Sequence, residues 1–162
     1  MIKEENLSAL RARVRAIIKD ELALANVLED AEGDFSFSYE RLTYEVIFDP
    51  DDPSFIWIRG ARRYELPDAD CLPHADACIN EVNRRCKLVK LYRMKPNQEG
   101  AHSVLATASL LVDSIDALSA DTVERALFLI KIGKRDFCRL FEESAVEAPS
   151  FTELAGRAEP LH

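Results

Sequence analysis

The chain has only five glycines in 162 residues, and that shortage already removes one class of site. A phosphate cradle of the Walker type needs a glycine-rich turn. Gly133-Lys134 lacks both the earlier glycine and the Ser or Thr that should follow the lysine. There is no G-x-S-x-G elbow, no H-E-x-x-H helix and no C-x-x-C pair. No apolar run approaches the roughly 20 residues of a membrane-spanning helix, so no membrane association is expected. The first residues, Met1-Ile-Lys-Glu-Glu-Asn6, are polar and lead into a helical pattern, unlike a secretory signal. Asn6-Leu7-Ser8 is then a chance sequon. Four cysteines, Cys71, Cys78, Cys86 and Cys138, suit a reducing compartment, and a cytoplasmic location is expected. A chain of this length can bury a core without disulfides, so a single domain is expected.

Charge is unevenly spread. The net charge is −8, which repels phosphate backbones and disfavours general nucleic-acid binding. Residues 1–58 carry 6 basic and 13 acidic side chains, residues 59–95 carry 9 and 5, and residues 96–162 carry 6 and 11. The basic middle (Arg59, Arg62, Arg63, Arg84, Arg85, Lys87, Lys90, Arg93, Lys95) is open to two readings. It can form a local anion-binding patch, or it can supply solvated faces that pair with the acidic segments.

What is present is periodicity. From about Asn6 to Glu29, Leu7, Leu10, Val14, Ile17, Ile18, Leu24 and Leu28 fall at helical spacing, which predicts one long helix stopped near Gly33. That helix either lies on a sheet or, since its spacing is heptad-like apart from Glu21, pairs with a partner. Residues 35–48 switch to a period of two (Phe35, Phe37, Tyr39, then Leu42, Tyr44, Val46, Phe48), with a turn or bulge near Glu40-Arg41. Asp49 to Pro53 is a turn. Phe55-Ile-Trp-Ile58 is apolar on both faces and reads as a covered central strand continuing toward Tyr64. A second helix is expected over Pro67–Arg85 with the stripe Leu72, Ala75, Cys78, Ile79, Val82, Cys86. A hairpin over 87–95 and 101–112 follows, turning at Pro96–Gly100. The last helix carries Val123, Ala126, Leu127, Ile130, Gly133, Phe137, Leu140 and Phe141 on one face. Asp121-Thr-Val-Glu124 is a capping box there, with Ser119 a rival N-cap. Gly133 inside that helix marks a close approach to the sheet. The order α-β-β(-β)-α-β-β-α defines an α+β domain, an antiparallel sheet packed by helices, over residues 1–144, with a mobile tail over 145–162.

Candidate chemistry is sparse. Cys71, His74 and Cys78 share a helical face, with Cys86 two turns on. Metal ligands on a helix need that spacing, but so do buried core cysteines. Asp49, Asp51 and Asp52 lack the glycine and distal glutamate of a calcium loop. His102 has no sequence-adjacent partner. No catalytic residue, metal ligand or cofactor is assigned, and an enzyme is not expected.

The segment Cys78-Ile-Asn-Glu-Val-Asn-Arg-Arg-Cys-Lys-Leu-Val-Lys-Leu-Tyr-Arg93 joins an I-N-x-x-N helix end to a basic, apolar strand. It resembles the YbjN family of bacterial sensory-transduction regulators. The closing helix, from Ser119-Ala-Asp-Thr to Phe137-Cys-Arg-Leu-Phe141, is similar to that family's last helix. The likeness spans roughly residues 7–143. It implies a type III secretion chaperone-like fold, frequent homodimers and a non-catalytic role. Asn80 and Asn83 then correspond to the family's recurrent asparagines, read here as structural because an amide at a helix end can bond free backbone groups.

The function expected from the residues and the resemblance is a non-enzymatic protein-binding module, a chaperone-like or regulatory adaptor working as a homodimer and holding an unidentified polypeptide. Phe35, Phe37, Tyr39, Phe55 and Trp57 are its expected contact residues. The competing reading is a small-ligand sensor or an unrecognised enzyme with a pocket between helix and sheet near Trp57, Cys71 or His102.

Overall fold

The computed structural model of the chain describes residues 4–52 and 54–147. Helix α1 (Glu4–Ala16) buries Leu10 and Val14, and Ile17 and Ile18 follow in a wider π-helical turn over Ile17–Glu21. There the Leu22 and Leu24 N–H groups donate to the Ile17 and Ile18 carbonyls, both at 2.9 Å. Ala23 adopts a left-handed φ of 48°, which closes the helix as a glycine usually does. The chain leaves as a strand, β1 (Ala25–Glu29), so the single helix expected to run to Glu29 is corrected. Leu24 and Leu28 keep the helical spacing, but Leu28 is 67% exposed. Gly33 does not stop a helix. It sits at φ +81° in the turn after β1, where the Asp30 carboxylate accepts from the Glu32 and Asp34 N–H groups.

Strands β2 (Phe35–Tyr39) and β3 (Leu42–Phe48) form a hairpin whose two turn residues, Glu40 and Arg41, both take positive φ. That is the geometry a two-residue hairpin loop requires. β4 (Phe55–Gly60) pairs with β3, and a short β5 (Tyr64–Glu65) follows a break at residues 61–63. After α2 (Leu72–Arg85) come β6 (Val89–Arg93) and β7 (Ser103–Leu111), then α3 (Ala120–Glu147). β1, β2, β3, β4 and β7 lie side by side, and β7 also pairs with β5 beyond the end of β4 and with β6 on its other edge. Every pairing is antiparallel. The protein is thus an α+β fold, a seven-stranded antiparallel sheet with three α-helices among the described residues.

α2 starts later than Pro67. Pro67–Cys71 form the approach, in which the Asp68 carboxylate accepts from the Cys71 N–H at 3.0 Å, and Pro73 can enter only within the first helical turn. At α3 it is the rival cap that acts: Ser119 Oγ accepts from the Thr122 N–H at 3.3 Å. Glu124 turns outward instead and accepts from the Tyr39 hydroxyl at 3.1 Å. α3 continues through Glu147, and the rest of the expected tail, 148–162, lies outside the described residues.

The helices share one side of the sheet. α1 lies over β2 and β3, with the Arg11 and Arg15 guanidinium groups above Phe48 and Phe35. α3 crosses the middle, where Ile130 meets Gly60 and Gly133 faces Val89 and Leu91. The core between them contains Phe35, Phe37, Tyr44, Val46, Ile56, Ile58, Ala108, Leu110 and Phe137. Strand residues alternate between faces, so their neighbours in sequence must point the other way.

Candidate functional site: the uncovered sheet face

Those neighbours form a face on which no helix of the described residues lies. Antiparallel register aligns Ile47, Trp57 and Ser109 in one row across β3, β4 and β7. Phe55 stands opposite Leu111, and Leu105 opposite Tyr92. Trp57, Tyr92 and Leu111 are 37%, 43% and 58% exposed. Glu45 and Arg59 form an ion pair across β3 and β4 beside this apolar stripe. Ile47, Trp57, Phe55 and Leu111 therefore make one apolar patch, bounded by the polar row Glu45, Arg59, Thr107 and Lys90 that separates it from Tyr92 and Leu105. An aromatic centre with a charged margin is how protein-binding patches are composed.

Of the five residues expected to meet a partner, the structure puts Phe55 and Trp57 here. Phe35 and Phe37 are buried on the opposite side, a correction with a simple cause. Their alternation marks the side of β2 that α1 covers, where Phe35 meets Phe48 edge-on and Phe37 stacks on Tyr44. Tyr39 lies on that same side, half-buried. The strand 55–58 is central, but it is covered on one face only: Ile56 and Ile58 are fully buried while Trp57 is not. Tyr92, Leu105, Leu111 and Ile47 were the residues the sequence did not single out. Their signal is the strand register, which sets Ile47 beside Trp57, Leu111 beside Phe55 and Tyr92 beside Leu105 only after the strands are paired.

The two edges of the sheet differ. On β6, Leu91 directs its backbone outward to α2, where the Asn83 side chain takes both groups. The amide Nδ2 donates to the Leu91 carbonyl at 2.9 Å, and Oδ1 accepts from the Leu91 N–H at 2.8 Å. Asn83 therefore replaces a neighbouring strand. Asn80, one turn earlier, is exposed and meets no such partner among the described residues. On β1, among the described residues, no hydrogen bond reaches the backbone except from β2. Gly133 has the close approach expected of it, since a Cβ there would lie 3.2 Å from Val89 Cγ1.

The remaining candidates separate in space. His74 Nε2 lies 3.2 Å from the Phe141 carbonyl and 3.8 Å from Cys78 Sγ, with the ring stacked on Phe141. Cys71 approaches the Asp68 backbone instead. Among the described residues no three His, Cys, Asp or Glu side chains converge on a metal position. Asp49 and Asp52 accept from backbone N–H groups of their own turn. His102 Nδ1 is buried without a hydrogen-bond partner. In the basic segment, Arg84 and Arg85 pair with Glu81, Arg93 with Asp76 and Arg59 with Glu45. Lys90 donates to the carbonyls of Asn83 and Cys86 at the end of α2, as a cation at a helix C-terminus should.

Burial raises the pKa of Tyr44 to about 12, with the Glu40 carboxylate and Tyr39 adding to the shift. Burial likewise pushes the Cys138 thiol up, the opposite of an activated nucleophile. Among the described residues no helix is long and apolar enough to cross a membrane. A scan against protein-family models and searches of curated proteins and of solved structures found no match to this chain.

Proposed function

We propose that the protein is a non-enzymatic, homodimeric protein-binding module, a chaperone-like or regulatory adaptor that works in the cytoplasm and holds a polypeptide partner. The observation that carries this reading is the uncovered face built on Trp57, with Ile47, Phe55 and Leu111 around it. Exposed apolar area of this kind gains about 25 cal/mol per Å² when covered. The unpaired edge of β1 gives an extended segment a second place to bind, by strand addition. The resemblance to the YbjN family and its type III secretion chaperone-like fold, carried by Asn80, Asn83 and the strand after them, supports the same reading.

Trp57 is the sole tryptophan, so it reports its own burial. Sedimentation of the wild type should show a dimer, with Trp57 emission shifted to the blue as concentration rises. Trp57→Glu should sediment as a monomer with unchanged circular dichroism, because the side chain stands on the face opposite the core residues Ile56 and Ile58. A wild type that stays monomeric to high concentration, with emission that no polypeptide partner alters, would end the proposal.

A further inference from the structure

On the helix side of the sheet, the break between β4 and β5 faces the middle of α3 across a cleft of about 940 Å³. Five cations line it: Arg62 and Arg63 from the break, and Lys131, Lys134 and Arg135 from α3. Glu65 is the only carboxylate among its lining residues. Such a concentration of one sign is unexpected in a chain of net charge −8.

The partners of these cations make the imbalance sharper. Elsewhere Arg13, Arg15, Arg59, Arg84, Arg85 and Arg93 each reach a carboxylate, while Arg11 and Lys90 donate to backbone carbonyls. In the cleft, Lys131 pairs with Glu40, and Arg135 meets only its neighbour Asp136. Lys134 donates to the Arg62 backbone carbonyl at 2.7 Å. The guanidinium groups of Arg62 and Arg63 have no partner among the described residues. Three positive groups therefore line one cleft without a carboxylate partner among the described residues. Leu42 and Tyr64 supply apolar surface beside them, and Tyr64 is fixed edge-on against Phe137 and Phe141.

We propose that this cleft binds a small soluble molecule bearing a di- or triphosphate group, with Arg62 and Arg63 as forked donors and Lys134 as the central point charge. Guanidinium forks match phosphate oxygens in pairs, and a chain of phosphates is long enough to reach several cations at once. The volume suits a ligand of nucleotide size. A nucleic acid is the poorer fit, because the cleft is local and the surrounding charge is negative. Burial lowers the Lys134 pKa and the nearby Arg62 charge lowers it further, while Cys138 acts in the opposite direction. A bound anion would relieve the repulsion between Lys134 and Arg62. The site is separate from Trp57, so either assignment can fail without the other.

The test is calorimetric titration of the full chain with sodium tripolyphosphate, ATP and adenosine at fixed salt. Arg62→Ala/Arg63→Ala changes two exposed side chains of the cleft. Arg84→Ala/Arg85→Ala removes the same charge at a remote place and is the control. Saturable binding of tripolyphosphate or ATP, weakened about tenfold or more by the first pair and spared by the second, is expected. Equal affinity for ATP and tripolyphosphate assigns recognition to the phosphates alone, and tighter ATP adds the apolar side of the cleft; both uphold the site. Absence of saturable binding, equal loss in both double variants, or tight binding of single-stranded RNA through Arg62 and Arg63 would overturn it.

Discussion

Replacing Asn83 by Ala removes two hydrogen bonds at one stroke and leaves two backbone groups of Leu91 exposed to the loss. The Leu91 side chain is buried and the Asn83 amide is half-buried, so water replaces the lost partners only in part. Each made bond contributes a net of about 1 kcal/mol, and each orphaned group costs about 1–3 kcal/mol. With partial solvent access the sum comes to about 2–4 kcal/mol, or roughly 5–12 °C in Tm for a domain of this size. The companion Asn80→Ala, three positions earlier on the same helix, should change stability by less than about 0.5 kcal/mol. Urea denaturation followed by circular dichroism, with the slope compared to confirm a two-state transition, measures both. Equal effects at the two asparagines, or a loss below about 0.5 kcal/mol at Asn83, would refute the view that Asn83 completes the sheet.

Two further outcomes follow from packing and ionisation. Gly133→Leu should destabilise the fold by about 2–3 kcal/mol in the same denaturation assay, because even a Cβ there is already 3.2 Å from Val89 Cγ1. The Tyr44 pKa is raised from 10.0 to about 12, so its contribution is complete below the unfolded value and is lost as pH rises between those two values. The loss amounts to about 2–3 kcal/mol, read as falling stability together with late tyrosinate absorbance in an alkaline titration. Tyr44→Phe should flatten much of that dependence.

Much of this fold was legible in residue spacing. The stripe on α3, the alternation in β2 and β3 and the hairpin of β6 and β7 all reflect faces that must be buried. The end of the first helix was not legible, because Leu24 and Leu28 keep the helical spacing while the chain turns at Ala23. Ala23 and Asn26 reach positive φ without the glycine that would have announced it. The uncovered face was half legible. Alternation separates Trp57 from Ile56 and Ile58, yet two apolar faces on one strand read equally well as a strand buried on both. Only the placement of all three helices on one side resolves that. The cleft was the least legible feature, since Lys134 meets Arg62 across 72 positions of sequence and charge counting by segment divides the cluster in two.

The inequality of the two sheet edges has a consequence for growth. A sheet open at both ends can add strands in either direction, and copies of it can stack edge to edge into a fibre. Asn83 occupies the outward backbone of Leu91 at the middle of β6, so a strand adding there would have to displace a side chain that already holds both groups. β1 has no such guard among the described residues. Strand addition is therefore biased toward β1, and two copies that join through their β1 strands each use up the edge by which they joined.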